Sequence, residues 1–395
     1  MYRPIIPLLL LCGSVANATA AELPTNVALR GSLANSRIRF EREKQGHVAF
    51  IGGSITEMNG YRPMVCEMLR QRSPKTNFQF TDAGIASTCS TTGAFRLDAD
   101  VLSRGRVDLF FIEFAVNDDQ DAGHARRECI RGLEGIIRHT RRHNPQADIV
   151  VTYFTNPGMV ETLQAGKVPL SIAAHADVCR HYNVSTIDLA KEVAERISAD
   201  KLTWKQYGGT HPAPLGNRIG SDMIDGLLNV AWKGPLAATT EPVAHALPTA
   251  PLDSQNYEAG KLLDPSTARA DSQWKWHVPD WKNLPGNCRS RFSQKELLST
   301  TQAGSELTLT FTGRAVGAYV LAGPDAGILE ARIDDGKPKR VDLYHRFSRG
   351  LHYPRTVMFS ADLAPGPHTL HLRVSKSSNA QSRGHAVRIL QFVSN

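Results

Sequence analysis

Up to residue 232, short runs rich in Val, Ile and Phe alternate with stretches of helical length whose apolar residues recur every three or four positions. The runs predict strands over 47–51, 78–83, 107–114, 148–154 and 184–188. The amphipathic stretches predict helices over 61–72, 93–103, 123–143, 171–182, 190–198 and 214–232. Apolar strands separated by helices are what a parallel sheet covered on both faces requires, because each strand is buried from both sides. The expected fold is a doubly wound, flavodoxin-like three-layer α/β/α domain, whose chemistry belongs in the crevice beyond the carboxyl ends of the strands.

Beyond residue 254 the period changes. Alternating segments at 306–311 (ELTLTF), 315–321 (AVGAYVL), 328–334, 368–374 and 387–392 are separated by turn signals such as Asp335-Gly336 and Pro365-Gly366, and no helix-period stretch interrupts them. This predicts a β-sandwich, in all economy a jelly roll. Between the halves, 233–255 (KGPLAATTEPVAHALPTAPLDSQ) is rich in Pro, Ala and Thr without periodicity and reads as a linker or a crossing loop. The expected organisation is a signal peptide over 1–20, an α/β/α domain over 21–232, this linker, and a sandwich over 256–395.

The signal follows from Arg3, the apolar run 5–11 and the small residues ending at Ala20. That run falls short of the roughly 20 residues a bilayer span needs, and no later segment approaches that length. A periplasmic or secreted protein without an integral membrane segment is expected. Cys12 follows Leu11, a poor fit to a lipidation signal. The remaining cysteines, Cys66, Cys89, Cys129, Cys179 and Cys288, have no CxxC or metal-ligand spacing and read as small buried apolar residues. The formal charge of +8 is scattered rather than clustered, which argues for solubility and against a nucleic-acid partner.

Four element boundaries carry polar groups suited to acyl transfer. The first strand ends in HVAFIGGSIT, which puts Ser54 at a strand exit behind two glycines. The second ends in TDAGIAS, where the Gly84 N–H can face the same point, and the third in FFIEFAVNDD, where the Asn117 amide can donate. Near the domain's end YGGTHPAPLG sets His211 in a loop before the last helix. A nucleophile, oxyanion donors and a base in this order are an acyl-transfer set.

The four blocks resemble the SGNH/GDSL hydrolase family over roughly residues 46–229. The resemblance implies that Ser54 is the nucleophile and His211 the general base, with the Ser54 and Gly84 N–H groups and the Asn117 amide forming the oxyanion hole. It implies neither cofactor nor metal, and His124, His143, His175 and His181 lack paired ligand spacing. The sequence departs from the family at Gly53, where GDS becomes GGS, at Ala115, and at Gly208, where an aspartate normally orients the histidine. A backbone carbonyl within 204–208 is the expected substitute, with Asp118 or Asp200 as the competing carboxylate.

The expected substrate is a small acyl ester, most of all an acetyl ester, on a carbohydrate or polysaccharide. Export and the sandwich, which looks like the modules appended to polysaccharide esterases, point that way. Trp274, Trp276 and Trp281 in WKWHVPDW are candidates for stacking on sugar or for plain packing, and Trp204 and Tyr207 for lining a subsite. An O-acyltransferase, a lipase-like esterase and a non-catalytic carbohydrate-binding protein are the alternatives.

Overall fold

The computed structural model describes residues 22–395; the expected signal peptide and Cys12 lie outside the described residues. The first half is built on a six-stranded sheet of β1 (Val27–Ala28), β2 (Gln45–Gly52), β3 (Asn77–Gly84), β4 (Leu109–Glu113), β5 (Asp148–Thr152) and β6 (Ser185–Ile187). The order across the sheet is β1-β6-β5-β4-β2-β3, with β1 antiparallel to β6 and every other pair parallel. Counted along the chain, the parallel strands run 2-1-3-4-5, the flavodoxin order, and its switch point falls between β2 and β4. Every residue of β4 and β5 is buried. Phe50 on β2 stacks on Phe111 of β4 at 5.0 Å, and each such ring contributes roughly 1.5–3 kcal/mol by leaving water.

Helices cover both faces: α1 (Ala34–Arg37), α2 (Ser54–Glu57), α3 (Tyr61–Arg72), α4 (Ser90–Asp100), α5 (Arg126–His143), α6 (Pro157–Gln164), α7 (Leu170–His181), α8 (Leu189–Ser198), α9 (Trp204–Tyr207) and α10 (Pro214–Ala231). The expected strands and helices of this half all occur within a few residues of their expected bounds. The two-residue β1 and the capped helix α6, started by Asn156 and Pro157, carry too short a period to be read in advance.

The second half consists of two antiparallel sheets. One joins Tyr353–Ser360, Val316–Ala322, Val387–Ser394, Leu297–Thr300 and Lys275–His277, with Lys261–Leu263 also pairing Val387–Ser394. The other joins Lys339–Asp342, Ile328–Ile333, Gly366–Val374, Glu306–Gly313 and Arg269–Ala270. Leu309, Val320, Leu329, Leu370 and Ile389 form the core between them. Trp274 belongs to that core and is packing, whereas Trp276 is exposed and Trp281 stacks its edge on His352 at 4.7 Å.

The segment 233–255 is not a free tether. Val243 exchanges two hydrogen bonds of 2.8 Å with the Asn35 side chain, and His245 reaches the buried Asp148 at 2.7 Å. Arginines on the buried face of α5 hold its carbonyls, Arg141 that of Ala246 and Arg138 that of Pro248, each at 2.8 Å. Glu134 accepts the N–H groups of Leu252 and Asp253. The polar positions on α5 therefore serve the strap, which satisfies backbone groups that a segment without sheet or helix partners would otherwise leave unpaired.

Candidate active site

The four expected blocks converge beyond the carboxyl ends of β2, β3 and β4. Gly53 ends the turn out of β2, so that Ser54 opens α2. His211 lies in the exposed loop between α9 and α10, and its Nε2 is 2.8 Å from Ser54 Oγ, although 157 positions separate them. Asn117, just past β4, is buried. A Cβ on Gly53 would stand 2.0 Å from Asn117 Oδ1 and 2.7 Å from Nδ2. A bare glycine before Ser54 is therefore what lets the amide lie against the nucleophile's turn, and this is the position where GDS becomes GGS.

The donors are not all free. One Asn117 Nδ2–H donates to Asp121 Oδ2, which fixes the amide plane and leaves its second N–H available. The Gly84 N–H is also engaged, donating to Asp82 Oδ1 at 2.9 Å. Asp82 is in turn paired with Arg62 at 2.8 Å.

No described residue hydrogen-bonds His211 Nδ1. The expected carbonyl within 204–208 does not take this role; the Trp204 and Tyr207 carbonyls accept from Gly208 and Ala213. Asp118 does not take it either. Its carboxylate is buried and accepts from Ser90 N at 2.8 Å, Ser90 Oγ at 2.7 Å and His175 Nε2 at 2.9 Å. Burial pushes Asp118 up, but the hydrogen bonds of His124 and His175 outweigh it and hold the carboxyl well below its usual range. Asp200 ends the turn after α8 in a left-handed conformation and is not hydrogen-bonded to His211, whose ring is hydrogen-bonded to Ser54 alone among the described residues. The glycine in the family's aspartate position has a local cause. Gly208 has φ +107°, and a Cβ there would lie 1.9 Å from Ala213 N, so this loop has no room for a side chain.

Several supporting residues were invisible in the sequence. Arg96 of α4, fully buried, donates to the carbonyls of Ala83 at 2.7 Å and Gly52 at 3.0 Å, tying together the two strand ends that lead into Gly84 and Ser54. From the second half, Arg289 donates to the Ala86 carbonyl at 2.9 Å and to Ser87 Oγ at 2.8 Å, while Arg291 pairs with Glu57 at 3.0 Å. An arginine within the predicted 93–103 helix could have flagged Arg96; nothing local marks Arg289 or Arg291. Under the nucleophile's turn, Glu113 is wholly buried with both carboxyl oxygens unpartnered, and burial together with the Asp118 charge pushes its pKa up to about 8. Tyr207 is buried and lines no subsite; Trp204 is half-buried against it at 5.3 Å.

Among solved structures, a two-domain esterase active on acetylated mannans, co-crystallised with mannopentaose, superposes with a TM-score of 0.73 at 18% identity, over 93% of this chain and 96% of its own. A structure described as the same esterase, without the ligand named, gives 0.72 at 19% identity, over 93% and 97%. A search of curated protein sequences finds no match. Residues 50–219 match the model of the GDSL-like Lipase/Acylhydrolase family. The segment that contains Ser54, Gly84, Asn117 and His211 is thus a GDSL-like lipase/acylhydrolase domain, joined here to a β-sandwich.

Proposed function

We propose that the protein is a carboxylic ester hydrolase that removes small acyl groups, acetyl above all, from carbohydrates by a Ser54–His211 acyl-enzyme mechanism. The observation that carries this reading is the 2.8 Å contact between Ser54 Oγ and His211 Nε2 at the switch point of the sheet. In this reading His211 takes the Ser54 proton as Oγ attacks the ester carbonyl. The tetrahedral oxyanion is met by the Ser54 N–H at the start of α2 and by the second N–H of Asn117. The Gly84 N–H joins them only when it leaves Asp82. His211 then returns the proton to the departing sugar oxygen, and water, activated by the same imidazole, releases the acid.

The exposure of His211 favours water as acceptor over a second sugar hydroxyl, because a transferase must keep water from its acyl-enzyme. The carbohydrate half of the reading is supported by the acetylated-mannan esterase, whose two-domain architecture extends over nearly this whole chain. The amino-terminal signal pattern supports action outside the cytoplasm, in the periplasm or beyond the cell. Acetate release from a panel of acetylated polysaccharides, measured for wild type and Ser54→Ala, tests the proposal. Release from at least one glycan that disappears in Ser54→Ala is expected; equal rates in both proteins overturn it and leave a binding function. A preference for long acyl chains over acetyl would make it a lipase-like enzyme instead.

A further inference from the structure

Cys89 is the N-cap residue of α4 and borders a cavity of 430 Å³ between the two halves, along with Ser87, Asp121, His124, Tyr353 and Arg355. Its Sγ lies 3.8 Å from His124 Nε2. The opposite ring nitrogen, Nδ1, is buried without a hydrogen-bond partner and lies 3.5 Å from Asp118 Oδ1, a charge contact. Asp118 is itself locked by Ser90 and His175. Sulfur, imidazole and carboxylate thus form a compact cluster in which the imidazole touches the sulfur, a contact that can activate a nucleophile. Donor atoms of the three residues come within 4.8 Å of one another, as a metal site would need. A relay fits better than a metal, because His124 faces its two neighbours with different nitrogens and both Asp118 oxygens are already engaged.

The start of an 11-residue helix adds its positive end to the sulfur's surroundings. Burial opposes ionisation of the Cys89 thiol, but the charge and hydrogen bond of His124 outweigh it and draw the thiol below its ordinary value. Burial likewise pulls His124 down, and Cys89 and Asp118 together raise it well above the usual imidazole range. Other charged or titratable neighbours include Cys129 and Glu128 of α5, Asp121 and, across the cavity, Tyr353, Arg355 and Asp342. The remaining described cysteines go the opposite way: burial pushes Cys66, Cys129 and Cys288 up to about 11 and Cys179 up to about 12.

We propose that Cys89 is a covalent modification site, a thiolate paired with His124 that takes small disulfides entering the interdomain cavity. The sulfur attacks one sulfur of RS–SR. A Cys89–S–SR bond forms as the S–S bond breaks, and RS⁻ leaves with the bonding pair and takes its proton from solvent. The chemistry is independent of Ser54 and of the ester reading.

The test treats the native full chain with hydroxyethyl disulfide, and in parallel with iodoacetamide at pH 6 and pH 8, and reads the labelled peptides by mass spectrometry. Expected are a single mixed disulfide on Cys89 and an iodoacetamide rate that rises far less between the two pH values than an ordinary thiol's. An ordinary thiol, with a pKa of about 8.5, changes about 75-fold over that interval. His124→Gln should restore the ordinary dependence, and Cys89→Ser should abolish labelling. The proposal is overturned if Cys89 labels only in urea, if the wild-type rate climbs with the ordinary factor, or if His124→Gln leaves the profile unchanged. The wild-type profile stands by itself should the histidine variant fail to fold.

Discussion

His211 and His124 each hold a nucleophilic side chain by Nε2, and everything around them differs. His211 is exposed, sits in a loop shaped by Gly208, and its second nitrogen meets no described residue. His124 is largely sheltered, meets sulfur on one side and a locked carboxylate on the other. The comparison separates two ways of supporting an imidazolium. Where water reaches the ring, solvent can steady the charge and the loop need only aim it; where water is excluded, a carboxylate must supply the charge from within the protein. The aspartate missing beside His211 has not been relocated to Asp118, which serves the other histidine.

The largest effect expected is at the exposed pair. Ser54→Ala should lower kcat by about 10⁴-fold or more while leaving the thermal transition in place, since it removes the hydroxyl proposed to form the acyl-enzyme. Asn117→Ala should cost about 10² to 10³ in kcat with little change in KM, the signature of a donor used in the transition state. A raised KM with kcat unchanged would assign Asn117 to ground-state binding.

Asp118→Asn tests the division of labour directly. It should destabilise the fold by about 3 kcal/mol through the loss of a buried carboxylate's partners, visible as a lower Tm, yet change kcat per folded molecule by less than about tenfold. A loss near that of Ser54→Ala in the folded variant would make the carboxylate a partner of His211 after all.

The smallest expected effect concerns Glu113. Its folded pKa of about 8 stands above its ordinary 4.5, so the native state binds the extra proton. The contribution is fully present below about pH 4.5 and is lost as pH rises through 8. Glu113→Gln should therefore flatten the decline of Tm between pH 5 and 9 and gain on the order of 1 kcal/mol at the alkaline end. An unchanged slope would show that Glu113 is ionised in the folded protein.

The strand exits are readable because a buried parallel strand must be continuously apolar and the polar residue after it stands out; Ser54 and Asn117 are legible that way, and His211 by its proline-flanked loop before the last helix. Gly84 was placed correctly on its strand, but the use of its N–H depended on Asp82 two positions earlier, a choice that spacing does not reveal. The rest was hidden by distance along the chain. Cys89 and His124 are 35 positions apart on separate elements, and Arg289 acts on Ser87 from 202 positions away. The buried arginines of α5 hold carbonyls of the strap more than a hundred positions away, a use that helical periodicity does not encode.

That strap has a practical consequence. Because its anchors are spread from Asn35 to Glu134, a protease that nicks the backbone near the exposed Val243 would not release two free pieces. The fragments would migrate together on a sizing column and part only in denaturant, so this protein's halves are better thought of as a bound book than as beads on a string.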